Sequence, residues 1–83
     1  MRRISYTKAA IRALRRMPAN TAKRIRAKIE AYSRDPVSQS KNVKSLKGRD
    51  GIRLRVGDWR VILDDSGNVL AVLDIGPRGG IYD

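Results

Sequence analysis

Arginines are the residues in this sequence that are best suited to chemistry. Three of them, Arg53, Arg55 and Arg60, lie in one short stretch where charged and apolar side chains alternate. A guanidinium group can bind phosphate oxygens through two parallel hydrogen bonds, and it can stabilise negative charge that develops during a reaction. The type and spacing of these residues therefore predict an anion-binding site.

The predicted position of the three arginines depends on one turn. Gly57 and Asp58 are typical of a two-residue hairpin turn, which would place Arg55 directly opposite Arg60. Side chains alternate between the two faces of a strand, so the arginines share one face. The large apolar residues share the other face: Ile52, Leu54, Val56, Trp59, Val61 and Leu63.

Opposed like charges on paired strands cost between a few tenths and about 1 kcal/mol of stability. Because the predicted pairing of Arg55 with Arg60 is destabilising, its presence favours a binding role for the arginine face. The alternative is an ordinary solvated face, where salt and nearby aspartates screen the charges.

Composition excludes many other kinds of chemistry. The chain has 83 residues, enough for one domain spanning positions 1–83, and its 41% hydrophobic but 5% aromatic content predicts an aliphatic core. It contains no Cys and no His. Disulfides, thiolate nucleophiles, zinc fingers and histidine acid–base pairs are therefore excluded. Because the carboxylates form no obvious cluster, we expect neither a metal nor another cofactor.

Charge indicates the class of partner. Lys and Arg number 19 against eight Asp and Glu, a formal net charge of +11, and 13 of the cations are Arg. This excess favours a polyanion, either nucleic acid or an acidic protein. No apolar run approaches the roughly 18 residues of a membrane helix, and the N-terminus does not resemble a signal peptide. We therefore expect a soluble, cytoplasmic protein without a membrane partner.

Two helices are predicted in the first half of the chain. A short strand over Arg2–Tyr6 precedes Thr7, a suitable N-cap, and apolar residues then recur at helical spacing until Pro18. Asn20 or Thr21 could cap a second helix, and the short connection implies an antiparallel helical hairpin. The apolar face of this second helix consists of Ala22, Ile25, Ile29 and Tyr32.

The rest of the chain predicts a loop and then a small sheet. Residues Ser33–Ser45 show no periodicity and are expected to form a loop. After the arginine hairpin, Asp65–Asn68 has turn composition and Val69–Ile75 is almost wholly apolar. The expected fold is α+β in the order β-α-α-β-β-β. An N-terminal strand and an antiparallel helical hairpin would pack on one face of a small, mainly antiparallel sheet, leaving the other face to solvent or a partner.

Three segments together carry a family resemblance: Leu46–Gly48, Ile52–Leu63 and Gly76–Tyr82. With these segments the chain resembles, over essentially its full length, the RelE/ParE superfamily of toxins from toxin–antitoxin systems. It is more similar to the RelE-type ribonucleases than to the ParE-type gyrase poisons. The ribonuclease pattern has an Arg in the third strand, an Arg after the last strand and a Tyr near the C-terminus, and Arg60, Arg78 and Tyr82 stand at those positions.

The resemblance also implies substrate-binding residues. Arg53 matches a basic residue of the strand before Arg60, and Arg55 shares its predicted face. RelE-type proteins carry a further Lys about where Gly51 stands here. That basic group is therefore either absent from this chain or replaced by Lys47 or Arg49.

The activity implied by the resemblance is cleavage of mRNA in the ribosomal A site. In cleavage without a metal, the ribose 2′-OH attacks the adjacent phosphate and leaves a 2′,3′-cyclic phosphate and a free 5′-OH. Arg60 and Arg78 would stabilise the phosphorane charge and Arg53 would position the phosphate. By its family position Tyr82 would be the general base or acid, with base stacking as its alternative role.

The implied partners are an acidic cognate antitoxin, the ribosome with its mRNA, and operator DNA only through the antitoxin. Two other functions remain open. One is a ParE-like toxin that binds gyrase and cleaves nothing. The other is a non-enzymatic basic module that acts with its antitoxin as a DNA co-repressor.

Overall fold

The computed structural model describes residues 2–48 and 50–79. This part of the chain forms three helices and a five-stranded sheet. The strands are β1 (Arg3–Tyr6), β2 (Val43–Ser45), β3 (Ile52–Val56), β4 (Trp59–Asp65) and β5 (Val69–Pro77). The helices are α1 (Lys8–Arg16), α2 (Ala19–Arg34) and a 3₁₀ helix (Pro36–Asn42).

Thr7 connects the first strand, the first helix and the sheet. Its hydroxyl oxygen accepts a hydrogen bond from the Ala10 amide at 3.2 Å, as expected of an N-cap. The same hydroxyl donates to the carbonyl of Leu73 in β5 at 2.6 Å. The predicted start of α1 is thus confirmed, and one side chain fixes this helix end against the central part of the sheet.

The second helix begins earlier than the sequence pattern predicts. Pro18 occupies the cap position of α2 and makes no side-chain cap hydrogen bond. The prediction that Asn20 or Thr21 caps this helix is therefore wrong. Proline is favoured at helix starts because its fixed φ suits the first turn and its missing N–H would have no partner there. The predicted apolar face is confirmed, because Ala22, Ile25, Ile29 and Tyr32 are all buried.

The predicted loop over Ser33–Ser45 is wrong. Helix α2 continues to Arg34, the 3₁₀ helix follows, and Val43–Ser45 forms β2. A 3₁₀ helix has three residues per turn and a three-residue strand shows at most one alternation, so neither has the periodicity of an α-helix or a longer strand. The side chain of Gln39 is buried, so one face of this segment packs against the rest of the protein.

The strands are arranged in the order β1-β5-β4-β3-β2. Only the β1–β5 pair is parallel, and the other three pairs are antiparallel. The predicted α+β class and mainly antiparallel sheet are confirmed, and β2 is an additional edge strand. The pairing of β4 with β5 shifts between Ile62 and Leu63.

The hydrophobic core lies between the helices and one face of the sheet. Leu14, Ile25 and Ile29 from the helices pack in the same cluster as Leu54 and Val61 from the sheet. Aliphatic side chains dominate this cluster, as the composition predicts. Within residues 2–48 and 50–79, no helix is both long enough and apolar enough to cross a membrane.

Candidate functional site

The register of the arginine hairpin agrees with the sequence prediction. Val56 pairs with Trp59, and Arg55 pairs with Arg60. Gly57 adopts a φ of 60°, in the left-handed region that a two-residue hairpin turn of type I′ requires. The turn therefore brings the two guanidinium-bearing residues to opposing positions on neighbouring strands.

A small cavity collects the basic side chains beside this hairpin. It has a volume of about 110 Å³, and among the described residues no carboxylate lines it. Its lining comprises Lys41, Asn42, Lys44, Arg53, Arg55 and Arg60. We call these six residues the basic cavity. Five cations around one concave surface form a site whose electrostatics favour an anion such as phosphate.

Arg60 is the most enclosed cation of the basic cavity. It is only 9% exposed, and its Nη1 donates hydrogen bonds to the carbonyl oxygens of Gly57 at 3.3 Å and Trp59 at 3.1 Å. These bonds hold the guanidinium close to the hairpin backbone. Arg55, by contrast, is exposed, and its Nη2 approaches Oδ1 of Asn42 at 3.5 Å. One member of the opposed pair is thus fixed, and the other reaches into solvent.

Three residues of the basic cavity are absent from the sequence prediction. Lys41 and Asn42 belong to the 3₁₀ helix, and Lys44 lies in β2 directly opposite Arg53. All three fall in Ser33–Ser45, the segment that the sequence predicts to be a loop. The alternation of Val43, Lys44 and Ser45 is the only local signal for the strand, and it is too short to separate from chance.

The other predicted site residues lie outside the basic cavity or outside the described residues. Lys47 is exposed in the turn between β2 and β3. Arg78 is exposed beyond β5, and its backbone N–H donates to the carbonyl of Asp58 at 2.8 Å, which places it beside the turn that precedes β4. Arg49 and Tyr82 lie outside the described residues, so their predicted roles stay predictions.

Gly51 has a structural reason to be glycine. Its φ is 115°, and a Cβ at this position would lie 3.0 Å from the carbonyl oxygen of Leu63 and 3.2 Å from Cδ1 of Leu46. A side chain here would need both an unusual backbone conformation and a displacement of neighbours. A lysine therefore does not fit at position 51 in this backbone, whereas Lys44 supplies a cation to the adjoining face.

A separate polar cluster stabilises the opposite end of β4. Asp65 accepts hydrogen bonds from Nε of Arg2 at 2.6 Å, the hydroxyl of Tyr32 at 3.2 Å and the amide of Gly67 at 2.8 Å. Burial alone would raise the pKa of Asp65, but these three donors together hold that pKa below its ordinary value. Burial and the Asp65 carboxylate raise the pKa of Tyr32. The cluster joins the N-terminal segment, α2 and the β4–β5 turn.

Solved structures of toxin–antitoxin complexes contain chains similar to this one. A chain of the archaeal RelE–RelB complex from Pyrococcus horikoshii is 29% identical, with a TM-score of 0.77 over 95% of this chain and 97% of that one. A chain of the RelB–RelE complex from Methanococcus jannaschii is 24% identical, with a TM-score of 0.73 over 95% of each chain. The Escherichia coli RelBE complex gives 18% identity and a TM-score of 0.69 over 93% of this chain and 96% of that chain. The two less similar chains show a shared fold.

Comparison with families gives a match over nearly the whole sequence. The model of the ParE toxin of type II toxin–antitoxin systems, parDE, matches residues 4–82. No curated protein sequence matches the chain. The family match spans β1, the helices, the arginine hairpin and the C-terminal segment, and the structural matches have the same fold. The chain therefore belongs to the ParE toxin family of type II toxin–antitoxin systems, within the RelE/ParE superfamily.

Proposed function

We propose that this toxin is an endoribonuclease that cleaves mRNA without a metal ion, acts on the ribosome and so inhibits translation. The observation that carries the proposal is the basic cavity, where five cations from four structural elements converge on about 110 Å³. A phosphate group is the anion for which such a cavity is best suited, since guanidinium forks match its oxygens. A chain of repeating phosphates also matches the net charge of +11.

The proposed reaction is transesterification of the RNA backbone. A ribose 2′-oxygen loses its proton and bonds to the adjacent phosphorus, while the bond from phosphorus to the 5′-oxygen breaks and that oxygen gains a proton. The products are a 2′,3′-cyclic phosphate and a free 5′-OH. No external nucleophile is consumed, so the protein has to place the phosphate, stabilise charge on its oxygens and assist the two proton transfers.

The residues divide these tasks as follows. Arg60 stabilises the phosphorane charge, because its enclosed guanidinium is held by two backbone carbonyls and needs little reorganisation. Arg53 and Arg55 position the phosphate from the neighbouring strand. Arg78 adds charge from the end of β5, and Tyr82 serves as the general base or acid.

Two further sequence predictions are Lys47 and Arg49. Lys47 is exposed in the β2–β3 turn, and Arg49, two positions further along the sequence, lies outside the described residues. We propose that these residues contact the substrate outside the basic cavity. A site with so few groups that titrate near neutral pH should be slow alone, which is why we propose that the ribosome orients the mRNA.

The proposed regulatory partner is an acidic antitoxin. The RelE of Pyrococcus horikoshii, 29% identical to this chain, forms a complex with RelB. A segment rich in Asp and Glu could fold against the strongly basic surface of this chain and block the approach of RNA. We propose that operator DNA is bound through that antitoxin.

A gyrase-binding toxin without nuclease activity is the competing candidate. The observation in its favour is the match to the ParE family model. A ParE-like toxin would use its basic surface for a protein or protein–DNA target, and the exact identity of Arg60 would matter less to it than the total charge.

Primer extension after induced expression separates the two candidates. We expect new 5′ ends within coding regions of mRNA in cells that express the wild-type toxin. They should disappear with Arg60→Lys, which keeps the charge but loses the guanidinium fork. A DNA supercoiling assay with purified gyrase is run in parallel on the same two proteins.

The outcomes differ clearly between the candidates. Cleavage by the wild type, loss with Arg60→Lys and unchanged gyrase activity would support the ribonuclease. Gyrase inhibition with intact mRNA would overturn it in favour of the gyrase-binding toxin. Intact mRNA and unaffected gyrase, together with operator binding in the presence of antitoxin, would leave the non-enzymatic co-repressor as the function.

A further inference from the structure

A second concave surface adjoins the basic cavity. It has a volume of about 450 Å³ and lies between α2 and the β3–β4 turn. Its lining comprises Arg24, Lys28, Asn42, Arg55, Val56, Gly57 and Asp58. We call this surface the α2 groove. The side chain of Arg24 extends across it, since its Nη2 would lie 3.1 Å from a Cβ placed on Gly57.

The two surfaces form one continuous path. Arg55 and Asn42 line both of them, and the 3.5 Å contact between these side chains stands at the boundary. An anion in the basic cavity and a second anion in the α2 groove would therefore share Arg55 as a neighbour. A polymer of evenly spaced phosphates can therefore occupy both surfaces at once.

We infer that the α2 groove is a second phosphate subsite, where Arg24 and Lys28 bind the backbone of the same RNA strand whose scissile phosphate occupies the basic cavity. The inference rests on the proposed function and extends it from one phosphate to at least two. Arg24 and Lys28 are four residues apart in a helix, so they lie on the same face, one turn from each other. An RNA strand that passes over α2 would therefore contact two cations, one after the other.

RNA suits the α2 groove better than an acidic peptide does. Gly57 is exposed and has no side chain, so its backbone offers an uncharged surface against which a base or ribose can pack. Asp58 also lines the groove, and its carboxylate can accept a hydrogen bond from the amino group of a base. The same carboxylate would repel the side chains of an acidic peptide. Unlike a base, those side chains have no amino group that could donate a hydrogen bond to it.

Oligonucleotide length tests the inference. The probes are 2′-O-methyl oligonucleotides, which cannot be cleaved by a 2′-OH: a dinucleotide with one phosphate and a hexanucleotide. Fluorescence anisotropy measures binding by the full chain as a function of salt. For the double variant Arg24→Ala/Lys28→Ala we expect dinucleotide binding like that of the wild type. Hexanucleotide binding should weaken, with a log–log salt slope smaller by about 1.4, or 0.7 for each lost contact.

The matched control removes the same charges elsewhere on the helices. Arg12→Ala/Lys23→Ala takes away one Arg and one Lys that are exposed and line neither surface. Its hexanucleotide binding should exceed that of the Arg24/Lys28 variant and stay close to the wild type. Thermal unfolding of both variants checks that each is folded.

Several results would overturn the inference. These are hexanucleotide binding unaffected in the Arg24/Lys28 variant, an equal loss in the control, or an equal loss for both probe lengths. Weaker binding of poly-glutamate with unchanged RNA binding would make the groove a peptide site instead. Arg60→Ala distinguishes failure of the proposed function, because that variant should lose affinity for both lengths. If it binds both like the wild type, the basic cavity itself is not the RNA site.

Discussion

Arg55 and Arg60 lie directly opposite each other on adjacent antiparallel strands, yet Arg55 is exposed to solvent whereas Arg60 is buried, with only 9% of its surface exposed. Arg60 turns back onto the carbonyls of Gly57 and Trp59, whereas Arg55 extends towards Asn42. Because the two side chains extend in different directions, their guanidinium groups repel each other less than expected of an opposed like-charge pair. For the same reason, removing the two side chains should affect the stability of the protein differently.

Stability should respond oppositely to alanine at these two positions. For Arg55→Ala we expect the free energy of unfolding to stay the same or rise by a few tenths of a kcal/mol, because an exposed like charge is removed. For Arg60→Ala we expect a loss of about 1–2 kcal/mol, because two hydrogen bonds to carbonyls disappear. Urea unfolding of both variants is the measurement. Equal effects would show that the carbonyl contacts of Arg60 contribute nothing.

Proton transfer can be separated from binding at Tyr82. Tyr82→Phe keeps the aromatic ring and any stacking on a base but lacks the hydroxyl. We expect a large fall in the rate of mRNA cleavage with ribosome binding close to that of the wild type. Single-turnover cleavage and ribosome co-sedimentation measure the two quantities. A normal cleavage rate would leave stacking as the role of this residue.

Binding of the toxin to RNA should weaken steeply as salt concentration rises. The net charge of +11 and the cations of the basic cavity predict several phosphate contacts, each contributing about −0.7 to the log–log slope on single strands. Filter binding at a series of salt concentrations gives the slope. Affinity that does not change between low and physiological salt would contradict the electrostatic basis of the site.

Acid should destabilise the protein through Asp65. Its pKa is lower in the folded chain than in the unfolded chain, so its contribution is present above the unfolded value and is lost as pH falls below about 4. Asp65→Asn should therefore be less stable at neutral pH and show a smaller decrease of stability on acidification. Denaturant unfolding at neutral and acidic pH tests this, and identical pH dependence in both proteins would contradict it.

The hairpin should tolerate no cavity on its inner face. Leu54 is fully buried in the core cluster, so Leu54→Ala is expected to cost about 2–5 kcal/mol. Val37→Ala in the 3₁₀ helix is the control, because Val37 is 79% exposed and its change should stay within about 0.5 kcal/mol. Thermal and urea unfolding give both values. Similar losses at the two positions would mean that the core is not packed as described.

Alternation and turn composition account for what could be predicted of the site. Gly57 and Asp58 define the turn, and a side-chain period of two then determines which face Arg53, Arg55 and Arg60 share. The enclosure of Arg60 could not be predicted, because it depends on where its guanidinium finds acceptors in the folded backbone. Alternation also predicts that the arginine face is exposed to solvent, whereas Ile62, which lies on that face, is fully buried.

The elements that complete the basic cavity could not be predicted for a different reason. Lys41 and Lys44 come from a 3₁₀ helix and a three-residue strand, which carry too few repeats to produce a pattern. Edge strand β2 forms because β3 offers it a partner, so its existence is a tertiary effect. The sequence places the start of α2 too late, because Asn20 has a side chain suited to capping, whereas Pro18 is the N-cap and the helix begins at Ala19.

The parallel pairing of β1 with β5 has a consequence for the order of folding. Thr7 bonds to Leu73, a contact between residues 66 positions apart, whereas β3 and β4 are joined by a two-residue turn. Closing a long loop costs more entropy than closing a hairpin, and contacts of large sequence separation slow folding. During synthesis β1 emerges first but has to wait for β5. We therefore expect the hairpin with Arg55 and Arg60 to form early, and the first strand made to be the last one to enter the sheet.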